Sequence, residues 1–310
     1  MSEIKNELNR KPTYAFFGSA EMSVYVLDEM EKAGFKPSLI ITTPDKPKGR
    51  NLALSPTPVK VWGNAYSIPV LDPIKLDDNF VDDFNKKNAA LPGGPVDLFI
   101  VAAYGKIIPQ TVLDLAPHKT LNIHPSLLPQ YRGAAPLQSA ILDDRKETGI
   151  TVMRIDALMD HGPVVAQKRV TIDEWPTYEV FEENMARDGA RLLAGIMADW
   201  VSGKIKEREQ DHTQATFTRK FVKEDGIIDI NKITTGTTAE QYDAFRKIQA
   251  FHLWPTTYFF ADKKSGNENI TRKIRVKITG ATWDRDHLTI LKVVPEGKNE
   301  TDFALFMRNL

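Results

Sequence analysis

The chain has 310 residues, a formal net charge of zero, 42% hydrophobic and 26% charged residues, and no cysteine. This composition is ordinary for a globular protein, excludes disulfides and thiolate chemistry, and gives no bulk electrostatic pull toward nucleic acid. No apolar run approaches the roughly 20 residues of a membrane helix, so no membrane partner is expected, and the length is a soft prior for two domains.

The N-terminal stretch MSEIKNELNRK lacks the apolar core of a signal peptide, so residues 1–12 read as a polar tail and a cytoplasmic location is expected. YAFFG (Tyr14–Gly18) then reads as a buried strand ending at a glycine. A helical stretch follows from Ser23 to Lys32, with Gly34 placed to cap it. SLIITT (Ser38–Thr43), VDLFIVAAYG (Val96–Gly105) and TLNIH (Thr120–His124) continue the strand series. Continuous apolar runs alternating with helical stretches predict a mostly parallel sheet covered on both faces. The expected class is therefore α/β, Rossmann-like and doubly wound. GITVMRID (Gly149–Asp156) and VAQKRVTI (Val165–Ile172) add shorter strands, and residues 177–204 form a long amphipathic helix with Phe181, Met185, Leu192, Ile196 and Trp200 near one face.

Residues 13–203 thus make a first domain. Lys204 to Lys223 is polar and without clear periodicity, and residues 204–225 read as a linker. Within residues 226–310, AEQYDAFRKIQAFHLWP (Ala239–Pro255) reads as helical up to the residue before Pro255. TTYFFA, RKIRVKITGATW and HLTILKVV then read as short strands, which suggests a small β-barrel or sandwich. Residues 204–310 carry a net charge of +4 and the first 203 residues −4, a modest asymmetry. Within the second domain Ile274, Val276 and Ile278 alternate with Lys273, Arg275 and Lys277. The cations read either as a solvated edge-strand face or as a basic stripe for a phosphate backbone.

The stretch with the most chemistry is LNIHPSLLPQYRGAAPLQ (Leu121–Gln138). Asn122 and His124 sit two apart on a strand, so both side chains leave one face, at the end where open α/β sheets bind ligands. Asn supplies an uncharged N–H donor and His a proton acceptor and donor near neutral pH. Such a pair can stabilise an oxyanion and take a proton, or it can be a structural pair satisfied by loop backbone. Pro125 and Pro129 stiffen the next turn, and Ser126, Leu127, Leu128 and Pro129 would present backbone groups to a ligand at little entropic cost. Asp160, in Met159-Asp160-His161-Gly162, could orient the imidazole or could be a turn residue. The loop Pro44-Asp45-Lys46-Pro47-Lys48-Gly49-Arg50 is either a solvated turn or a grip for a polyanion. There is no P-loop, no G-x-G-x-x-G, no H-E-x-x-H and no metal-ligand spacing among the six histidines.

As a set, FFGSAEMS, TTPDKPKGRNLALSPTPVK, AAYGKIIP, LNIHPSLLPQYRGAAPLQ, ETGITVMRIDALMDHGP, TFTRKFVKEDGIID and AFHLWP resemble the methionyl-tRNA formyltransferase family, from Tyr14 to Leu310. The resemblance implies a Rossmann-like transferase domain joined to an OB-like barrel. It implies Asn122, His124 and Asp160 as catalytic residues and Ser126 to Pro129 as the folate-contacting segment. Arg50, with Lys46 and Lys48 beside it, would position the tRNA acceptor end, and Lys273, Arg275 and Lys277 would add a basic surface. The reaction implied is formyl transfer from 10-formyltetrahydrofolate to the α-amine of methionine on initiator tRNA; a monomer and no metal are expected. The same resemblance leaves a nucleotide-sugar N-formyltransferase as the alternative. A formate-releasing folate hydrolase and a catalytically silent RNA-binding protein stand further off.

Overall fold

The computed structural model describes residues 10–48, 53–265 and 270–310. All four side chains of YAFF (β1, Tyr14–Phe17) are fully buried, as a strand covered on both faces requires. Helix α1 (Glu21–Lys32) ends just before Gly34, whose φ of +79° lies in the left-handed region. The chain continues through β2 (Leu39–Ile41), the short β3 (Lys46–Lys48) and β4 (Ala53–Ser55), α2 (Pro58–Ala65), β5 (Val70–Leu71) and α3 (Asp78–Ala89). Next come β6 (Leu98–Val101), α4 (Gln110–Leu113), β7 (Thr120–His124), β8 (Arg132–Gly133) and α5 (Pro136–Leu142). Strands β9 (Glu147–Arg154) and β10 (Val164–Thr171), the long α6 (Tyr178–Val201) and β11 (Phe217–Thr218) follow.

Among the described residues, seven strands form one sheet in the order β10-β9-β7-β6-β1-β2-β5. From β5 through β7 every pair is parallel, whereas β9 runs antiparallel to β7. The interior position of β1, with β2 and β5 on one side and β6 and β7 on the other, is the doubly wound pattern the apolar runs predict. Phe17 and Phe99 lie 5.1 Å apart between ring centroids, with Phe84 edge-on to Phe99 at 5.2 Å and Tyr104 edge-on to Phe17 at 5.5 Å.

Contacts divide the chain into two units. The first comprises Met1–Gly133, Thr148–Val170 and Glu182–Phe217; the second comprises Ala134–Glu147, Thr171–Phe181 and Thr218–Leu310. Helix α6 packs differently from its sequence pattern. Phe181 and Met185 are buried, but the positions buried after them are Ala186, Ala190, Leu193 and Met197, while Leu192, Ile196 and Trp200 are only half-buried. Gly189 decides this rotation. A Cβ there would stand 2.6 Å from Cγ2 of Ile123 and 3.2 Å from Cγ2 of Ile150, so the helix backbone itself lies against the sheet at that point.

In the second unit, α7 (Ile230–Thr234) and α8 (Thr238–Ala250) precede an antiparallel sheet of β12 (Tyr258–Ser265), β13 (Ile270–Asp284), β14 (His287–Pro295) and β15 (Thr301–Asp302), and α9 (Phe303–Arg308) closes the chain. Ile274, Val276 and Ile278 are buried, Lys273 and Arg275 exposed, and Lys277 half-buried, so the expected alternation is realised. Ala244, Phe245 and Ile248 of α8 are buried too, and Trp283 sits 5.0 Å from the Tyr242 ring. Helix α8 stops at Ala250 and does not run on to Trp254. Phe251 turns inward there, 1% exposed and edge-on to Phe221 at 4.9 Å, and burying that ring outweighs one more helical turn. Asp144 Oδ1 gathers three stretches of this unit: it accepts from Trp175 Nε1 at 2.6 Å and Tyr242 Oη at 3.0 Å, and pairs with Lys146 Nζ at 3.1 Å.

Two outcomes follow from this packing. In Gly189→Ala the new methyl meets the stiff β-branched Ile123, a clash that exceeds the roughly 1 kcal/mol that Ala gains over Gly in a helix. The denaturant midpoint should therefore fall; an unchanged midpoint would show that Ile123 yields freely. In the second unit, hydrogen bonds from Arg219, and after them from the Val222 N–H, hold the Asp225 carboxyl down to about 2 from its ordinary value of 3.8. A depressed carboxylate stabilises the fold above its unfolded value and loses that stabilisation as pH falls toward the folded one. Arg219→Ala should thus cost stability at neutral pH and leave it nearly unchanged below about pH 2, which acid titration of the melting temperature would read.

Candidate active site

Strand β7 delivers Asn122 and His124 to one face, and its antiparallel partner places Met153 opposite Asn122 and Thr151 opposite His124. His124 is 5% exposed. Its Nε2 lies 3.0 Å from the carbonyl oxygen of Tyr131, and a carbonyl can only accept, so Nε2 carries the hydrogen and donates. The other ring nitrogen, Nδ1, faces Oδ1 of Asp160 at 3.7 Å. That distance is too long for a direct hydrogen bond and short enough for the carboxylate to stabilise positive charge on the ring. The second carboxylate oxygen of Asp160 accepts the Gly133 N–H at 2.7 Å. Asp160 and Tyr131 hold φ of +50° and +58°, a conformation costing a non-glycine residue on the order of 1 kcal/mol and retained where the surroundings enforce it. Asn122 is half-buried, so an incoming group can still reach it.

The loop after His124 is pinned from two strands. Ser126 is buried, and its hydroxyl donates to the Gln130 carbonyl at 2.6 Å. Thr151 Oγ1 donates to the Ser126 carbonyl at 2.7 Å and accepts the Leu128 N–H at 3.1 Å. Gln167 Nε2 donates to the Leu128 carbonyl and to Thr151 Oγ1, both at 2.9 Å. Leu128 is buried, and Leu127 and Pro129 are half-buried. The buried backbone groups of Ser126 and Leu128 are thus satisfied, and what remains for a ligand is a stiff ledge.

Arg132 is buried, and its Nε and Nη2 donate to Gln210 Oε1 at 3.2 and 2.7 Å while Nη2 also donates to His212 Nδ1 at 2.8 Å. The His212 ring stacks on His161 at 4.0 Å between centroids, and His161 Nδ1 pairs with Asp156 Oδ2 at 2.7 Å. Thr151, Gln167, Gln210 and His212 carry no motif in the sequence. Thr151 announces itself only through the register, and Gln210 sits in the stretch without periodicity.

The predicted basic residues fall in two places. Lys46 is exposed, while Arg50 and the side chain of Lys48 lie outside the described residues. Lys106 Nζ donates to the Pro73 and Ile74 carbonyls at 3.0 and 2.9 Å. Burial, and then the charge of Lys46, push its ammonium down from the ordinary lysine value, which marks Lys106 as a neighbour of that loop. In the second unit the Arg275 guanidinium lies 5.6 Å over the Tyr258 ring, and its cross-strand partner Phe260 is 49% exposed. Cations and aromatic rings therefore share one face of β12 and β13.

A family model described as formyl transferase matches residues 13–196. A methionyl-tRNA formyltransferase of Chloroflexus aggregans is 39% identical over 245 residues, covering 79% of this chain and 75% of that protein. Another, of Geobacillus sp., is 31% identical over 308 residues, covering 94% and 93%. A solved N-formyltransferase of Helicobacter canadensis, in complex with folinic acid and dTDP-3-aminofucose, has a TM-score of 0.56 at 20% identity and 88% coverage of both chains, a likeness of fold.

Thr151→Val keeps the shape of the side chain and deletes the hydroxyl that satisfies Ser126 and Leu128. Leaving buried backbone groups unpartnered costs about 1–3 kcal/mol each. The variant should unfold at clearly lower denaturant, and a wild-type midpoint would mean that water replaces the hydroxyl.

Proposed function

The chain belongs to the methionyl-tRNA formyltransferase family, and from that premise we propose that Asn122, His124 and Asp160 carry out its formyl transfer. The enzyme transfers a formyl group to the α-amine of methionine on initiator tRNA, in translation initiation. The donor in this reading is 10-formyltetrahydrofolate, held against the ledge Ser126 to Pro129. The amine lone pair attacks the formyl carbon and the carbonyl π electrons move onto oxygen. The Asn122 amide N–H stabilises that oxyanion. The amine proton passes to His124, directly or through water, and the Asp160 carboxylate stabilises the imidazolium that forms. Collapse breaks the bond from the formyl carbon to the folate nitrogen, which takes up a proton as tetrahydrofolate leaves.

The observation that carries this reading is the placement of His124 between the Tyr131 carbonyl on Nε2 and the Asp160 carboxylate on the Nδ1 side. With Nε2 committed as a donor, Nδ1 is the nitrogen left to accept a proton. For the acceptor, Lys46, Lys48 and Arg50 would meet the tRNA end, and Lys273, Arg275 and Lys277 its phosphates. The alternation of these last three with buried residues supports a tRNA acceptor over a nucleotide sugar, which offers no extended phosphate backbone. In domain terms, residues 13–203 carry the reacting groups, 204–225 lead on from them with Gln210 and His212 bound to Arg132, and 226–310 bind RNA through an OB-like sheet. The protein acts as a monomer in the cytoplasm.

His124→Ala should lower kcat for methionyl-tRNA formylation about 10²–10⁴-fold. The double change Lys273→Ala with Arg275→Ala should weaken tRNA binding and flatten its salt dependence by roughly one log unit per cation, with kcat at saturating tRNA unaltered. A wild-type enzyme that formylates an amino-sugar nucleotide and ignores charged tRNA would overturn the acceptor.

A further inference from the structure

Gln210 is 6% exposed and lies between α6 and β11, outside any regular element. The backbone just before it is clamped: Arg208 and Val164 exchange both N–H to O=C bonds, each 2.8 Å. From that anchor the Gln210 amide reaches two segments of the active site at once. Its Nε2 donates to the carbonyl oxygens of Asp160 at 2.9 Å and Gly162 at 2.7 Å. Its Oε1 accepts from Nε and Nη2 of Arg132 at 3.2 and 2.7 Å. The orientation of the amide is not in question, because a guanidinium can only donate and a carbonyl can only accept. Two donors and two acceptor positions are all used.

The geometry points to a role beyond packing. Asp160 sits at φ +50°, and a residue in that region is held by its surroundings or relaxes. Gln210 binds the carbonyls of Asp160 and of Gly162, so it fixes the loop on either side of His161. Through Arg132 it also fixes the residue before Gly133, whose N–H is the hydrogen-bond donor to the Asp160 carboxylate. This one amide reaches both constraints on the carboxylate, its own backbone and, through Arg132, its N–H partner. Other side chains cannot do this. Glutamate has no N–H for the carbonyls, Arg and Lys offer no acceptor for Arg132, and Asn is one methylene short. We infer that Gln210 is the positioning residue for Asp160, setting the distance and direction of its carboxylate from His124. The inference rests on the catalytic assignment of His124 and Asp160 given above.

The test uses the full-length enzyme with Gln210→Met, which keeps the bulk and loses every hydrogen bond. Gln210→Glu goes beside it, keeping an acceptor for Arg132 and losing both donors. Two readouts are taken: steady-state formylation, and the NMR resonance of the Gly133 amide proton, which reports the Asp160 carboxylate without any acceptor substrate. In both variants kcat should fall roughly 10–100-fold, the cost of displacing a reacting group by about 1 Å. KM for tRNA should stay within about twofold on the same ground, because a misplaced carboxylate leaves the tRNA contacts intact. The Gly133 amide proton should move upfield and exchange faster. Wild-type kcat with an unmoved Gly133 resonance in either variant, even with a lowered melting temperature, would overturn the inference and leave Gln210 a structural tie. If Gln210→Met does not fold, Gln210→Glu decides alone. If wild-type enzyme fails to formylate charged tRNA, the functional reading falls, while the Gly133 resonance still decides whether Gln210 positions Asp160.

Discussion

The antiparallel register of β9 on β7, with Thr151 opposite His124, is the constraint on which the rest of the crevice depends. A further parallel strand would have required a long crossover at this point. The reversed strand instead sends its side chains directly into the loop that leaves β7, and one hydroxyl there satisfies two backbone groups of that loop. The same strand then closes the next loop, because the Arg154 N–H donates to the Pro163 carbonyl at 2.9 Å. Asp160 belongs to that closed segment. A single strand pairing therefore governs the two loops that flank the imidazole, and a slip of one residue would turn Thr151 to the opposite face.

The charge arrangement divides along similar lines. The chain is neutral overall, with the first 203 residues at −4 and the remainder at +4. The net negative charge lies on the part that carries His124 and Asp160, and the net positive charge on the part that carries Lys273, Arg275 and Lys277. In the second unit the cations lie on a strand whose other face is core. The sheet that buries Ile274, Val276 and Ile278 is thus also what spaces Lys273, Arg275 and Lys277 at intervals of two residues. Stability and charge display there are two faces of one pattern.

What the sequence revealed follows physical lines. Tyr14–Phe17 and Thr120–His124 were legible because a strand buried on both faces must be apolar throughout, and Asn122 breaks the second run visibly. The same-face relation of Asn122 and His124 follows from the period of a strand alone. Asp160 has no local signal that separates a reacting carboxylate from a turn residue, and only the resemblance to a known family singles it out in the sequence. The face of α6 was misread because Leu192, Ile196 and Trp200 are as apolar as the residues that pack; the deciding residue, Gly189, has no side chain to count. Gln210 was invisible for another reason. Its acceptors are backbone carbonyls 50 and 48 positions away in the chain, and a carbonyl leaves no trace in composition or spacing.

The path of residues 204–217 has an evolutionary consequence. By contacts this stretch belongs with the first unit, although it follows the last helix of that unit and adjoins the second. The general formyl transferase pattern matches only as far as residue 196. A gene rearrangement that swapped the C-terminal module at the end of α6 would carry away the glutamine bound to the Asp160 segment and the partners of Arg132. The natural breakpoint for module exchange in this chain therefore lies after Phe217, and fusions made upstream of it would inherit a catalytic half with an unanchored loop.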